Sequence, residues 1–195
     1  TCVDVARAAG VDDPNGQGNG GCAADYDNDG DQDLYLTNHG KNILFQNGGD
    51  GAFSDVSAAS IDSHDDRRKF TGCAWGDYDR DGHLDLVVVS HMAETIEDML
   101  FTQDFHLVLG GMSLFHNEGD GTFTNVTQLL GDTSGAKAGG EAGNLYGASF
   151  QPIWVDFDND GDPDLYVVND FGARIQPNVL WRNDGQGDTE SWLFT

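Results

Sequence analysis

Short apolar runs recur along the chain, and each is bounded by Gly, Asn or Asp. One set follows an aspartate-rich stretch, at Asp33–Asn38, Asp85–Ser90 and Asp164–Asn169. The runs are rich in Val, Leu and Tyr, which favour strands, and their length is that of strands rather than helices. The pattern therefore predicts a chain built of short β-strands.

The same unit is repeated three times. DYDNDGDQDLYLTN begins at residue 25, DYDRDGHLDLVVVS at residue 77 and DFDNDGDPDLYVVN at residue 156. A strand is predicted before each of these loops, for example at 71–75 and 152–155. A third strand is predicted at 42–46, 113–116 and 178–182, and a fourth at 52–56 and 122–126, with a Gly-Asp-Gly turn between them that favours a hairpin. Four-stranded units of about 50 residues are typical of β-propeller blades.

The predicted fold class is all-β, with about three four-stranded propeller blades in a single domain or fragment spanning residues 1–195. The repeats cover residues 18–57, 70–127 and 150–195; the second carries an insertion at 91–112, and another insertion, at 128–149, precedes the third. Residues 1–5 match the fourth strand and are predicted to belong to a preceding blade. Because propellers close with about four to eight blades, we expect either part of a larger propeller or one completed by another chain.

Charge narrows the possible partners. The 195 residues include 34 acidic and 9 basic side chains, which give a formal net charge of −25. No basic stripe is present to hold phosphates, which argues against nucleic acid and anionic membrane surfaces. No signal peptide or transmembrane run is visible, so Thr1 is expected to be a mature or trimmed start.

The acidic residues are concentrated in the pattern D-x-D-x-D-G-x-x-D-L. It places carboxylates at loop positions 1, 3, 5 and 9, and a glycine at position 6, where calcium loops make a sharp turn. That glycine is Gly30, Gly82 or Gly161. Oxygen-rich sites of this kind suit calcium, whereas magnesium keeps more of its waters. No Cys or His pattern suggests zinc or iron.

Each loop is therefore predicted to bind one calcium ion, which gives about three sites. The predicted ligands are four carboxylates and the backbone carbonyl of position 7, and they are, in chain order, Asp25, Asp27, Asp29, Asp31 (carbonyl) and Asp33; Asp77, Asp79, Asp81, His83 (carbonyl) and Asp85; and Asp156, Asp158, Asp160, Asp162 (carbonyl) and Asp164.

These loops resemble the FG-GAP and VCBS repeats of integrin α-subunit propellers. Together with the Phe-x-Asp-Val strands and Asn-x-Gly-Asp-Gly turns, they are most similar to the cartilage acidic protein (ASPIC-type) group. The resemblance implies a secreted or cell-surface protein that binds calcium and serves adhesion or extracellular assembly. The Phe-Gly/Gly-Ala-Pro signature of integrins is not visible, so integrin-type ligand recognition is not implied.

Three cysteines, Cys2, Cys22 and Cys73, permit one disulfide and one free thiol. Sequence does not choose the pair; a Cys2–Cys22 bond is the preferred expectation in an oxidising compartment.

In a propeller, both insertions would lie on the face opposite the acidic loops, where a protein or glycan partner is expected. No catalytic motif is found among the six histidines or elsewhere, and the chain is predicted not to be an enzyme. Two alternatives stay open: a glycan-binding or glycan-processing propeller, and a self-assembling subunit that exchanges strands between chains.

Overall fold

The computed structural model of the protein describes residues 2–61, 68–91, 111–130, 148–170, 177–186 and 192–195. Within these residues the chain forms two four-residue helices, α1 (Ala6–Ala9) and α2 (Ser57–Ser60), and a 3₁₀ helix at Thr127–Leu130. The remaining regular structure consists of strands: β1 (Gly18–Ala24), β2 (Asp33–Asn38), β3 (Ile43–Asn47), β4 (Phe53–Asp55), β5 (Lys69–Gly76), β6 (Asp85–His91), β7 (Met112–Asn117), β8 (Phe123–Asn125), β9 (Ser149–Val155), β10 (Asp164–Asn169), β11 (Val179–Trp181), β12 (Asn183–Gln186) and β13 (Trp192–Phe194).

The strands form antiparallel sheets in chain order. Sheet one has the order β1-β2-β3-β4 and sheet two β5-β6-β7-β8. Sheet three contains β9, β10 and β11, and the hairpin β12–β13 continues it, because Arg182 and Thr195 exchange two backbone hydrogen bonds of 2.9 Å. The predicted all-β class with four-stranded repeats is confirmed, and β2 and β10 have the predicted bounds.

In sheet one, the helix α2 follows the fourth strand, β4. The helix α1 follows residues 2–5 with a similar turn. Val5 has φ −120° and ψ 7° before α1, and Val56 has φ −109° and ψ 5° before α2. Residues 2–5 form no strand with the described part of the chain. Their assignment to a preceding blade stays a prediction, which the likeness of the two turns favours.

The innermost strands β1, β5 and β9 lie side by side, so that the three sheets share one edge. Glycine permits this approach. A Cβ on Gly20 would lie 2.5 Å from the carbonyl oxygen of Thr71, and one on Gly72 would lie 2.3 Å from that of Phe150. The Thr71 hydroxyl also donates a 2.6 Å hydrogen bond to the carbonyl of Ser149. The sheets are thus placed as neighbouring blades around a common axis.

Two apolar cores lie between successive sheets. Sheet two contributes to both, which explains why residues 85–90 of β6 are buried throughout while β2 alternates. The core between sheets one and two contains Tyr26, Tyr35, Leu44, Ile61, Phe70, Cys73, Leu86, Val88, Phe115 and Phe123. The core between sheets two and three contains Tyr78, Val87, Val89, Met112, Leu114, Leu130, Leu165, Val167, Trp181 and Phe194.

The outer face of sheet three also carries apolar side chains, but no other sheet of the described residues packs against them. Phe157 and Leu180 are 47% and 40% exposed, whereas Tyr26 and Leu44, at the matching positions of sheet one, are 2% and 0% exposed. Ile153 adds to this apolar surface at 44% exposed. The face that sheet one buries against sheet two is therefore open in sheet three.

The disulfide joins Cys22 to Cys73, and Cys2 is free and exposed; the preferred Cys2–Cys22 pairing was wrong. Cys22 pairs with Tyr35 across its sheet and Cys73 with Val88 across the next. Tyr35 is the third residue of β2, whereas Val88 is the fourth residue of β6. Because successive residues of a strand point to opposite faces, Cys22 and Cys73 lie on opposite faces of their own sheets and point toward each other between the two sheets. The bond thereby ties the inner strands β1 and β5.

Most of each predicted insertion lies outside the described residues, at 92–110 and 131–147. The partner expected on those segments therefore stays a prediction. No helix in the described ranges is long and apolar enough to cross a membrane.

Candidate metal centres

The three acidic loops connect the first and second strands of their sheets and fold alike. The glycine at position 6 has a positive φ in each loop, as expected for the sharp turn predicted there. The residue at position 4 is also left-handed, although it is not glycine, and this was not foreseen. The φ values at positions 4 and 6 are 61° and 99° for Asn28 and Gly30, 58° and 91° for Arg80 and Gly82, and 61° and 94° for Asn159 and Gly161.

The aspartate at position 1 holds the turn through backbone amides. Asp25 accepts hydrogen bonds of 3.0 Å from the amides of Asp29 and Gly30. Asp77 does the same with bonds of 3.0 and 3.1 Å in the second loop. In the third loop, Asp156 accepts a 3.2 Å bond from the amide of Gly161. Side chains in this arrangement curl the loop around a small volume and concentrate carboxylates there.

Each loop brings at least three carboxylates within reach of one cation. The ligand atoms lie within 4.8 Å of one another in the groups Asp25–Asp27–Asp29, Asp77–Asp79–Asp81 and Asp156–Asp158–Asp164. Two carboxylates at about 5 Å repel by about 3 kcal/mol at an effective dielectric constant of 20, and a bound cation would cancel that repulsion. The donor set is all oxygen, as calcium requires. Of the other predicted carboxylate ligands, Asp33 and Asp160 fall outside these groups, whereas Asp85 joins a different one, described below.

The aspartate at position 9 is fully buried in all three loops and joins the loop to the third strand. One oxygen of Asp85 accepts a 3.0 Å bond from the amide of Tyr78, and the other a 2.9 Å bond from the amide of Asn117. Asp33 and Asp164 make the matching pairs of bonds. Burial raises the pKa of Asp85 to about 8, and it also raises the pKa of Asp33 and of Asp79. A cation beside these groups would favour their charged forms.

The side chains at position 7 lie outside the carboxylate groups. The Asp31 carboxylate packs over Gly49, and the His83 ring packs over Gly119. The Asp162 carboxylate instead forms a 3.0 Å ion pair with Arg80. These placements leave the carbonyl as the group that position 7 could offer, and its role as a ligand stays a prediction.

An asparagine that ends β3 and β7 and opens β12 is bonded to each loop, and its role was not predicted. Asn117 is 1% exposed, and its side-chain nitrogen donates to the carbonyls of Leu84, at 3.0 Å, and of Tyr26 in the preceding loop, at 2.8 Å. Its oxygen accepts a 3.0 Å bond from Gly119. Asn183 repeats the pattern and reaches the carbonyl of Tyr78 at 2.8 Å. The Asn-x-Gly element of each hairpin was the available sequence signal.

The loops are therefore linked from one sheet to the next. The side chain of Asn28 donates to the carbonyl of Gly82 at 3.1 Å. In the same way Arg80 reaches Asp162 of the third loop. Metal binding to one loop would consequently stiffen a contact with its neighbour.

The residue before the organising asparagine differs between repeats. Gln46 donates a 2.6 Å hydrogen bond to Asp27. In the second sheet this position is His116, whose Nδ1 lies 3.2 Å from Asp85 and 3.4 Å from Asp79. Asp79, Asp85 and His116 form a fourth group able to hold a cation.

The opposite end of sheet one carries a cavity of about 760 Å³. It is lined by polar side chains, among them His39, Lys41, Asn42 and Ser57, and by apolar ones, among them Ile61 and Phe123. Because β2 ends and β3 begins there, this end faces away from the acidic loops. It is the end on which a partner was predicted.

A family model described as FG-GAP-like repeat matches residues 25–88 and 96–167. The two stretches cover more than half of the 195 residues and contain all three acidic loops. A search of curated proteins found no match.

Proposed function

The chain belongs to the FG-GAP-like repeat family, and from that premise we propose that it is a calcium-binding β-propeller module in which calcium stabilises the three acidic loops. The observation that carries this proposal is threefold repetition. Each loop has the same left-handed turn, an amide bond from the glycine at position 6 to the aspartate at position 1, and a group of three carboxylates that includes positions 1 and 3. A single acidic turn could be a solvated loop, whereas three matched ones indicate a common ligand.

We expect calcium rather than magnesium because the predicted ligand set is large. Four carboxylates and a carbonyl per loop would fill most of the six to eight positions that calcium uses. The ligand set is the one named above, from Asp25 to Asp33, Asp77 to Asp85 and Asp156 to Asp164. Position 9 would serve both the ion and the third strand, since a carboxylate has about four lone-pair sites.

We further propose that the module is secreted or displayed at a cell surface and serves adhesion or extracellular assembly, within the cartilage acidic protein-like group. The Cys22–Cys73 disulfide supports an oxidising compartment. The exposed apolar face around Phe157 and Leu180 favours a further blade there, supplied by a longer chain or by another copy. The function is binding rather than catalysis.

A glycan-binding role is the second candidate, and the cavity beside His39 and Lys41, whose lining combines polar and apolar side chains, favours it. Binding of an oligosaccharide that Lys41→Ala weakens at least tenfold would support this role. Unchanged binding, or none to a glycan array, would exclude it at this cavity.

Thermal unfolding with millimolar calcium, with magnesium and with EGTA tests the proposed function. Binding to the folded state alone raises stability by RT ln(1 + [L]/Kd), so about 2.7 kcal/mol per site is expected at 100 Kd. Asp29→Ala, Asp81→Ala and Asp160→Ala should each remove part of the calcium-dependent gain and cost less in EGTA. Equal losses in calcium and in EGTA would contradict the assignment.

A further inference from the structure

The side chain that the third strand places beside the acidic loop differs between sheets one and two. In sheet one, Gln46 donates an ordinary 2.6 Å hydrogen bond to Asp27. In sheet two, His116 takes this position, and its Nδ1 is buried and has no partner of hydrogen-bonding geometry among the described residues. The imidazole nitrogen therefore faces two carboxylates without the bond that Gln46 makes.

The spacing of these atoms fits a small cation. Nδ1 of His116 lies 3.2 Å from Oδ1 of Asp85 and 3.4 Å from Oδ2 of Asp79, and all three ligand atoms lie within 4.8 Å of one another. Zinc bonds of 2.0–2.1 Å to nitrogen and oxygen place tetrahedral ligand atoms about 3.3 Å apart. The two nitrogen–oxygen distances thus match the edges of a tetrahedron around such an ion.

We propose that Asp79, Asp85 and His116 form a transition-metal site that takes Zn²⁺ or a similar borderline dication. Imidazole is a preferred ligand of such metals and is foreign to the all-oxygen sites of calcium and magnesium. Three protein ligands leave the fourth position to water. The site deepens the proposed function and rests on it, because the second loop must be a metal site for the choice of metal to matter.

Neighbouring groups support the ligands. The second oxygen of Asp85 accepts the 3.0 Å bond from the amide of Tyr78, which fixes the carboxylate. The Tyr78 ring meets the His116 ring edge-on at 6.0 Å and holds its orientation. Such outer contacts typically tune metal affinity by about 10–100-fold. Asp79 also belongs to the group with Asp77 and Asp81, so zinc and calcium would compete for the second loop.

The internal repeat supplies matched variants for the test. The EDTA-stripped, dialysed chain is titrated with Zn²⁺ alone by calorimetry at neutral pH, as wild type and as His116→Gln, which copies sheet one. The reverse variant, Gln46→His, gives the first loop the same three side-chain types. His39→Gln, at the far end of β2, controls for zinc bound by other histidines.

Wild type is expected to bind one zinc ion that His116→Gln weakens at least tenfold, in line with the cost of perturbing metal-site partners. Gln46→His is expected to add a second zinc ion, and His39→Gln to change nothing. Zinc affinity unchanged within twofold in His116→Gln, or no binding by wild type, would overturn the proposal. If His116→Gln fails to fold by circular dichroism, the Gln46→His stoichiometry decides.

The two proposals fail separately. A chain that gains no stability from calcium yet binds zinc through His116 refutes the calcium function and keeps this site. A chain stabilised by calcium in all three loops, with zinc affinity indifferent to His116, keeps the function and removes this site.

Discussion

Replacing Asn117 by Ala is expected to lower the free energy of unfolding by about 3–6 kcal/mol. The side chain satisfies the carbonyls of Tyr26 and Leu84 and the amide of Gly119, all at 2.8–3.0 Å. Alanine would remove all three bonds and leave these backbone groups in a site where Asn117 itself is 1% exposed. Leaving the buried Tyr26 carbonyl unsatisfied costs about 1–3 kcal/mol, and losing each of the two part-buried bonds costs about 1–1.5 kcal/mol. Together these losses give about 3–6 kcal/mol.

Asn47→Ala is the matched control. Asn47 bonds the carbonyl of Gln32 at 3.0 Å and the amide of Gly49 at 3.1 Å, both at the solvent-exposed surface. Water can replace these bonds, so a loss of about 1 kcal/mol is expected. Asn183→Ala, whose side chain is buried and reaches Tyr78, should instead resemble Asn117→Ala.

Urea unfolding in EGTA, followed by tryptophan fluorescence, separates these effects from metal binding. The midpoint should shift while the slope stays constant, because the surface exposed on unfolding is unchanged. A loss in Asn47→Ala as large as in Asn117→Ala would refute the reasoning, since it would show that the bond between sheets contributes nothing.

Two further predictions concern pH and oxidation. The pKa of Asp85 is raised from 3.8 to about 8 in the folded chain. Between these two pH values the folded state therefore binds a proton that the unfolded state does not. The stability gained from this proton is complete below pH 3.8 and is lost as the pH rises to about 8. In EGTA, the free energy of unfolding should therefore fall by up to about 1.4 kcal/mol per pH unit, whereas calcium should suppress the fall; parallel curves in EGTA and calcium would contradict this. The double variant Cys22→Ser, Cys73→Ser should lose about 4 kcal/mol of unfolding free energy, because the disulfide closes a separation of 51 residues. The control Cys2→Ser should lose none. Differential scanning calorimetry under non-reducing conditions measures both variants, and a loss of stability confined to Cys2→Ser would exclude the bond.

Local features of the candidate sites could be predicted from the sequence. The positive φ of Gly30, Gly82 and Gly161 depends on residues within the same loop, and so does the amide bonding by Asp25 and Asp77. The strands β2 and β10 were predicted with their observed bounds, because turn residues and apolar runs mark them locally.

Contacts between sheets could not be predicted from the sequence. Asn117 meets Tyr26 across 91 residues, and Asn183 meets Tyr78 across 105. Cys22 forms its disulfide with Cys73 rather than with Cys2 because β1 and β5 lie side by side. His116 was counted among ordinary histidines, since nothing near it in the chain indicates that β7 brings it to Asp79 and Asp85.

The sequence by itself determined the repeating unit, the strands and the turns that gather carboxylates, because hydrogen bonds over two to five residues and alternation along a strand are encoded locally. Tertiary structure alone decided which cysteines bond, which loops touch and which of three similar apolar faces is covered. Phe157 and Tyr26 occupy the same position in the repeat, and yet one is 47% and the other 2% exposed. The difference arises because burial depends on the sheet that packs alongside, which a residue's own repeat does not specify.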